Sequence, residues 1–488
     1  IARRSGLKRY SLKNNVDFKA GRLAANLNVG LSYSESSFLV REASSSGNNS
    51  LAAVYYALPY EYPYAADGTL VTNGNDDVYP VYDLREGSNS LDALLNTSNK
   101  TDQLKSIIGT SLNYTVANGL VIKTRLGVDF GQNTNEQYYN PDSYIGSKQT
   151  GKKGSFGEGV TRNFSLVSTS GLTYSKAVDK HDFEVSAYYE FLKNTYRAFN
   201  YTGYDIDSRL PYTPAGITPG SPFSPVLGGG RTKNTLASYM AVGRYTYDEK
   251  YTLNASYRYD GSSTVPAANR WHGFYSVGLG WEIKKEGFLK DVSFINDFRF
   301  RASYGTSANP FFGDPYTYFT TYGTSQYGGT AAIVPTTPGN AQYDWEYAKE
   351  FNAGFDLGIW NNRIRIITDV YNKITNNLFI SQPLSITSGF SELSLNSGTM
   401  RNRGIEMDVQ ADVVKMRDFT WNVGFNFAYN KNEITDLGGA DEFTQGTTQI
   451  VRVGLPYGSH YAPKWAGVDP QTGDPLYYDR QGNKTSDY

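Results

Sequence analysis

Along Phe419, Trp421, Val423, Phe425, Phe427 and Tyr429 every second side chain is large and apolar, while Thr420, Asn422, Gly424, Asn426, Ala428 and Asn430 fill the positions between. A strand repeats every two residues, so this segment has one greasy face and one small, polar face. The pattern recurs along the chain in paired segments. It predicts hairpins at 8–19 with 22–35, 103–116 with 119–132, 161–175 with 181–196, 235–247 with 250–260, 273–284 with 296–306, 346–358 with 363–376, and 400–413 with 418–432. Within a pair the joint is short and carries turn residues, as at Ala20-Gly21, Asn118-Gly119, Asp248-Glu249-Lys250 and Asn361-Asn362.

The connections between pairs are different. They cover 36–102, 133–160, 197–234, 261–272, 307–345, 377–399 and 433–488, and they are rich in Gly, Pro, Ser, Thr and Tyr. Compact soluble domains seldom carry so many long loops. Tight turns on one side and long loops on the other are the signature of an outer-membrane barrel. Charge placement agrees. Leu120, Ile122, Leu126, Val128 and Phe130 face one way, whereas Lys123, Arg125 and Asp129 face the other. A Lys or Arg on the lipid face at mid-membrane costs about 2–4 kcal/mol. A packed soluble core would reject these charges too, so both architectures sort them. Only the membrane one explains long strands, charged faces and long loops together. The expected fold is therefore all-β: a transmembrane, antiparallel, up-and-down β-barrel.

Composition sharpens this. The mean hydropathy is −0.49, and the longest uncharged apolar stretch, near Leu51–Leu58, is far below the roughly 20 residues of a spanning helix. Aromatics number 41 Tyr, 25 Phe and 6 Trp, which suits strands and the boundary between lipid and water. With no Cys and 3 His in 488 residues, no thiolate chemistry or disulfide framework is available. Forty-six basic against 47 acidic residues leave a net charge of −1, which argues against nucleic acid as a partner. No Ser/His/Asp constellation can be read, so the chain is not expected to be an enzyme and no cofactor is implied. Neither Asn73–Asp77 nor Asp469–Asp474 matches a calcium loop, and no metal site is expected.

From Tyr251 onward the motifs become specific. Arg258-Tyr-Asp-Gly-Ser-Ser263, Arg270-Trp-His-Gly-Phe-Tyr-Ser-Val-Gly-Leu-Gly-Trp281 and Glu286-Gly-Phe288 occur in order. They are followed by Arg299–Gly305, Trp345-Glu346, Asn352–Asp356, Asp369–Lys373, Asn402-Arg-Gly-Ile-Glu406 and Trp465–Pro470. In these motifs the chain resembles the SusC/RagA-type TonB-dependent outer-membrane transporters of Bacteroidetes. The resemblance covers nearly all of the second half, and the first half more loosely through Lys8–Leu12. It implies about 14 strands of a barrel of about 22. It also implies that residues 1–488 are a partial barrel domain, with the plug, the TonB box and the last strands absent from this chain. The function implied is active import of oligosaccharides or peptides across the bacterial outer membrane. The partners implied are TonB, engaged through the missing plug and TonB box, a SusD-like surface lipoprotein, and outer-membrane lipid. A passive porin or surface adhesin is the alternative from another class, and a soluble carbohydrate enzyme is a third.

Candidate residues fall into two groups. Arg258 with Asp260, Arg299 with Arg301, Arg363 with Arg365 and Arg401 with Arg403 stand two apart, so each pair shares a strand face and is expected to line the lumen. They could contact a plug or solute, or simply keep a polar lumen solvated. Trp271, Tyr327, Trp345 and Trp465 lie in or beside long loops, where an aromatic face could stack on a substrate or grip a partner. The alternative for these four is a place in an aromatic girdle or in loop packing. Asp260-Gly261 is expected to open a turn.

Overall fold

A computed structural model describes residues 5–38, 57, 61–73, 75, 86–148, 150–310, 314–446, 448–479 and 481–487. Fourteen strands form one antiparallel sheet in which neighbours follow chain order. Its members begin with β1 (Gly6–Ala20), β2 (Leu23–Phe38), β3 (Thr97–Ala117), β4 (Leu120–Tyr139), β5 (Ser155–Val178), β6 (His181–Tyr204) and β7 (Val226–Tyr247). They continue with β8 (Tyr251–Ser262), β9 (Trp271–Glu282), β10 (Ile295–Asn309), β13 (Glu346–Ile359), β14 (Ile364–Asn376), β17 (Thr399–Lys415) and β18 (Thr420–Asp436). Each expected hairpin is present. Two expectations about its limits need correction. The strands outrun the alternating segments: β5 and β6 each have 24 residues, about twice the roughly 9–11 that cross hydrocarbon. Toward the long connections the alternation fades, and the apolar side chains there, such as Phe156, are enclosed.

The second correction concerns the connections, which hold structure of their own. They carry the hairpins β11 (Thr321–Tyr327) with β12 (Thr330–Thr337) and β15 (Phe379–Pro383) with β16 (Glu392–Asn396). After β18 come β19 (Glu442–Gln445), β20 (Gln449–Arg452) and β21 (Ser459–His460), then β22 (Lys464–Val468), β23 (Pro475–Tyr478) and β24 (Lys484–Thr485). A helix, α1 (Glu86–Asn96), precedes β3. The Leu51–Leu58 stretch lies almost wholly outside the described residues, as does part of Asn73–Asp77.

The chain divides into two compact units: 1–116, 122–170 and 191–235 in one, and 117–121, 171–190 and 236–488 in the other. In the first, Tyr10, Leu12, Val16 and Phe18 of β1 lie beside Tyr33, Leu31, Leu27 and Ala25 of β2. Leu31, Val29 and Ala25 in turn meet Ser106, Ile108 and Leu112 of β3. This makes one apolar face. On the other lie Lys13, Asn15 and Asp17 opposite Gly30, Asn28 and Asn26. In the second unit the apolar face runs through Tyr251, Trp281 and Phe300 to Phe355. It continues from Phe355 through Thr368 and Met407 to Phe427.

Burial decides what these faces meet. Phe427 is 45% exposed, Phe425 54% and Phe300 40%, and Trp281, Phe355 and Met407 along the same face are half-buried. Among the described residues, the fully enclosed apolar side chains lie in the connections and at strand ends, not at mid-strand. Tyr138, Phe156 and Ile206 form one cluster. Val265, Phe274, Tyr343 and Trp345 form a second, and Leu378, Ile380, Ile434, Leu437 and Val451 a third. A soluble barrel would bury its greasy stripe at mid-strand, and this sheet leaves it uncovered.

Turn chemistry explains the tight ends. Gly119 has φ +79°, and a Cβ there would stand 2.2 Å from the Ser175 carbonyl oxygen. Only glycine fits, because both the conformation and the close approach exclude a side chain. Gly21 shares the left-handed conformation, φ +54°, but a Cβ there would meet nothing within 4 Å. At the next-to-last hairpin Trp360, Asn361 and Asn362 all take positive φ. Arg363 donates its N–H to the Trp360 carbonyl, so it sits in the turn and not, as expected, on a strand. Replacing Gly21 by Ala should cost about 1–2 kcal/mol. Gly119→Ala should cost more, because it adds displacement of the backbone. Urea unfolding of the two variants in detergent would measure the difference, and equal losses would contradict the packing described.

Candidate functional site

The polar face carries an ion-paired ladder. Arg301 on β10 donates through Nη2 to Asp356 on β13 at 2.9 Å and to Asp369 on β14 at 3.1 Å. The strand between makes this possible. Gly354 pairs with Asp369, and a Cβ on it would collide with the Asp369 carboxylate at 2.4 Å. Without a side chain there, the carboxylate leans across to the arginine. Arg299 pairs with Glu282 on β9. Arg258 on β8 grips both oxygens of Asp260 through Nε at 2.7 and 2.8 Å. Its Nη2 reaches Glu190 at 3.0 Å and Ser238 at 2.8 Å.

Arg258, Asp260, Arg299, Arg301 and Arg365 therefore share the face opposite the aromatic one. Asp260-Gly261 does not open a turn: β8 continues to Ser262, and Asp260 stands opposite Ser238 and His272. Arg401 and Arg403 are misplaced by the spacing argument. They share parity with Ile405 and Met407 and so lie on the apolar side, at the loop end of β17, with Arg401 Nε on Asn372 at 2.7 Å. Partly exposed pairs of this kind contribute about 0–1 kcal/mol each. Their effect is to hold a charged wall in one arrangement.

A second feature is a platform built by three connections. The Trp345 indole donates to the Asn269 carbonyl at 3.0 Å, and Asn269 Nδ2 donates back to the Tyr343 carbonyl at 3.1 Å. His272 Nε2 lies 3.0 Å from Asp344 Oδ1, which also accepts the Trp345 N–H. Asn396, ending β16, accepts from the Asp344 N–H at 2.9 Å and donates to the Asp344 carbonyl at 2.8 Å. The Tyr343 hydroxyl donates to the Pro310 carbonyl, and burial, helped by the nearby Glu346 charge, pushes that hydroxyl's pKa well above its usual value. Segments 263–270, 310–345 and 377–398 are thus fastened together. A polar cleft of about 270 Å³, lined by Thr321, Thr336, Phe379, Phe390 and Glu392, opens on this platform.

The four aromatic candidates separate. Trp345 is only 1% exposed, at the centre of the platform, and offers no face to a ligand. Trp271 stacks on Tyr259 and Tyr239 at centroid distances of 5.2 and 6.2 Å, on the apolar face. That is a girdle position. Tyr327, at the tip of the β11–β12 hairpin before Gly328-Gly329, is 85% exposed. Trp465 is exposed on β22, its ring set edge-on to Tyr477. The sequence reasoning missed His272, Asp344 and Asn396. Asp469–Asp474 is a local turn in which Asp469 Oδ1 accepts from the Gln471 N–H at 2.8 Å. Among the described residues there is no group of three or more potential metal ligands. Trp345→Ala should cost about 3–5 kcal/mol. The loss should appear as faster proteolysis within 310–345 and 377–398 while strand content by circular dichroism stays unchanged.

Comparison with known proteins agrees with this architecture. The family model for the TonB dependent receptor-like β-barrel matches residues 9–488. The TonB-dependent receptor P3 of Formosa agariphila is 28% identical over 98% of this chain and 50% of its own length. SusC of Bacteroides thetaiotaomicron is 32% identical over 52% of this chain and 28% of its own. Among solved structures, the RagAB peptide transporter superposes with a TM-score of 0.82 at 24% identity, covering 99% of this chain and 54% of that one. The chain spans about half the length of the curated relatives it matches, or less. With strand order, face chemistry and family model in accord, the chain belongs to the TonB-dependent receptor-like β-barrel family.

Proposed function

We propose that this chain is the barrel portion of an energised outer-membrane importer in a longer protein. The uncovered apolar face meets lipid, and the ion-paired polar face lines the solute path. The observation that carries this is the middle of the sheet: long alternating strands whose large apolar side chains stay partly exposed there, with no enclosed cluster at mid-strand among the described residues. Lipid is the solvent that such a face fits, because neighbouring strands pair their backbone groups along the sheet. The charged wall then faces water and, in the whole protein, a plug that TonB displaces.

The relatives are named as TonB-dependent receptors, and one solved neighbour is named as a peptide transporter. These names support import and not catalysis. The solute on this reading is an oligosaccharide or a peptide. The platform around Trp345 and the exposed Tyr327 and Trp465 would be the surface that a SusD-like lipoprotein covers. Rigid scaffolds commonly present binding residues on their loops in this way.

Two outcomes test the proposal. A strain dependent on the full-length protein for growth on its solute should stop growing when TonB is deleted. Continued growth would point to a passive pore. Separately, Phe425→Arg should destabilise membrane assembly by about 2–4 kcal/mol, whereas Asn426→Arg, on the opposite face, should change it little. Folded barrel counted by heat-modifiable gel migration gives the readout, and the reverse ranking would contradict the lipid-facing assignment.

A further inference from the structure

The polar face has a hollow at the long-connection ends of β4, β5 and β6. Its volume is about 210 Å³. That is roughly seven waters' share of liquid, the scale of a single sugar ring. Its floor exists because Gly157 and Gly159 stand two apart on β5 with no side chains. A Cβ on Gly157 would crowd Thr202 Oγ1 at 2.9 Å, and one on Gly159 would only touch Asn200 Cβ at 3.5 Å. On the far side of Asn200, Gly228 of β7 is equally bare, and a Cβ there would stand 2.7 Å from Asn200 Oδ1. Asn200 therefore projects from β6 with glycine on both flanks.

The rim is made of uncharged hydrogen-bonding groups. Gln137 and Tyr139 of β4 line one wall, and Asn200 and Thr202 line the other. Asn135 is already oriented: its Nδ2 donates to Asn99 Oδ1 at 2.8 Å and Thr101 Oγ1 at 2.9 Å, leaving its carbonyl oxygen to accept. The one carboxylate in the lining, Glu158, takes the Tyr201 hydroxyl at 3.4 Å. Among the described residues no Lys or Arg lines the hollow. Behind it Tyr138, Phe156 and Ile206 form an enclosed cluster on the same strand ends, so the floor is backed by a packed core. A site held by strands and a packed second layer is pre-organised.

We propose that this hollow is a subsite for one ring of a neutral oligosaccharide. Amide side chains pair with vicinal hydroxyls as both donors and acceptors, and the glycine floor with the Tyr139 ring takes the ring's flat side. A peptide fits the same groups less well. β5 has neighbours on both sides in the sheet, so no edge is free for strand addition. The lining has no charged pair for termini and no apolar pocket for side chains. The inference rests on the reading that the polar face lines the solute path, and it narrows the solute.

The test uses the full-length protein with its own plug, purified in detergent. Calorimetric titration is run with maltohexaose, laminarihexaose, xylohexaose and mannohexaose, and with a pool of casein hexapeptides. At least one hexasaccharide should bind, Asn200→Ala and Gln137→Ala should each weaken it about tenfold, and Gly159→Leu should fill the hollow and weaken it further. The two alanine variants remove exposed side chains and should keep wild-type circular dichroism. Failure of all four saccharides to bind, unchanged affinity in all three variants, or binding of the peptides alone would overturn the subsite. TonB-dependent peptide uptake that survives Gly159→Leu would do so while leaving the importer standing. Loss of TonB dependence with variant-sensitive saccharide binding intact would remove the importer and leave the subsite.

Discussion

The structure depends on one constraint: a sheet that pairs its backbone groups with itself and leaves its greasy face without a protein partner. In Trp281, Phe300, Phe355, Met407 and Phe427 that face is continuous from strand to strand, with Thr368 the small interruption. Water is a poor solvent for such a face and lipid a good one. Hydrocarbon in turn demands that no N–H or C=O be left over, which the antiparallel ladder meets between neighbouring strands and which closure would have to meet at β1 and β18. The period of two then places everything else. Once the aromatic residues are committed to one side, Arg301, Asp356 and Asp369 are bound to the other.

Because the sheet has no dry interior at mid-strand, tertiary stability gathers at the loop side. Trp345 and Tyr343 do what core residues do in a soluble domain, but among connections instead of between layers. The Asn269–Trp345 and Asp344–Asn396 exchanges satisfy backbone groups that a buried connection would otherwise leave bare. The β4–β6 hollow uses the same device, with Phe156 packed behind Gly157.

Much of this was legible in the sequence. Asn118-Gly119 announced its turn, and the Trp421–Tyr429 alternation announced both the strand and its sides. Other parts were not. The pair spacing at Arg401 and Arg403 shows that they share a face, but only counting on to Ile405 and Met407 shows which face. Strand tails were missed because charged and small residues interrupt the alternation there, as Glu158 does between Phe156 and Val160. Trp345 resembled an exposed loop aromatic because its enclosure comes largely from Val265 and Phe274, which lie about 70–80 residues away in sequence. Gly157 and Gly159 gave no warning of a hollow, since an absent side chain matters only through what stands beside it.

These 488 residues contain no cysteine, so once any cysteine elsewhere in the full-length protein is replaced by serine, one measurement is especially direct. Single cysteines placed at successive positions from 421 to 430 of the full-length protein, spin-labelled in lipid bilayers, report collisions with oxygen dissolved in lipid and with a water-soluble nickel chelate. The account predicts oxygen contact at 421, 423, 425 and 427 and nickel contact at 422, 424 and 426. Labels at the odd positions shielded from both reagents would mean a dry protein interior, and the lipid-facing sheet would be contradicted.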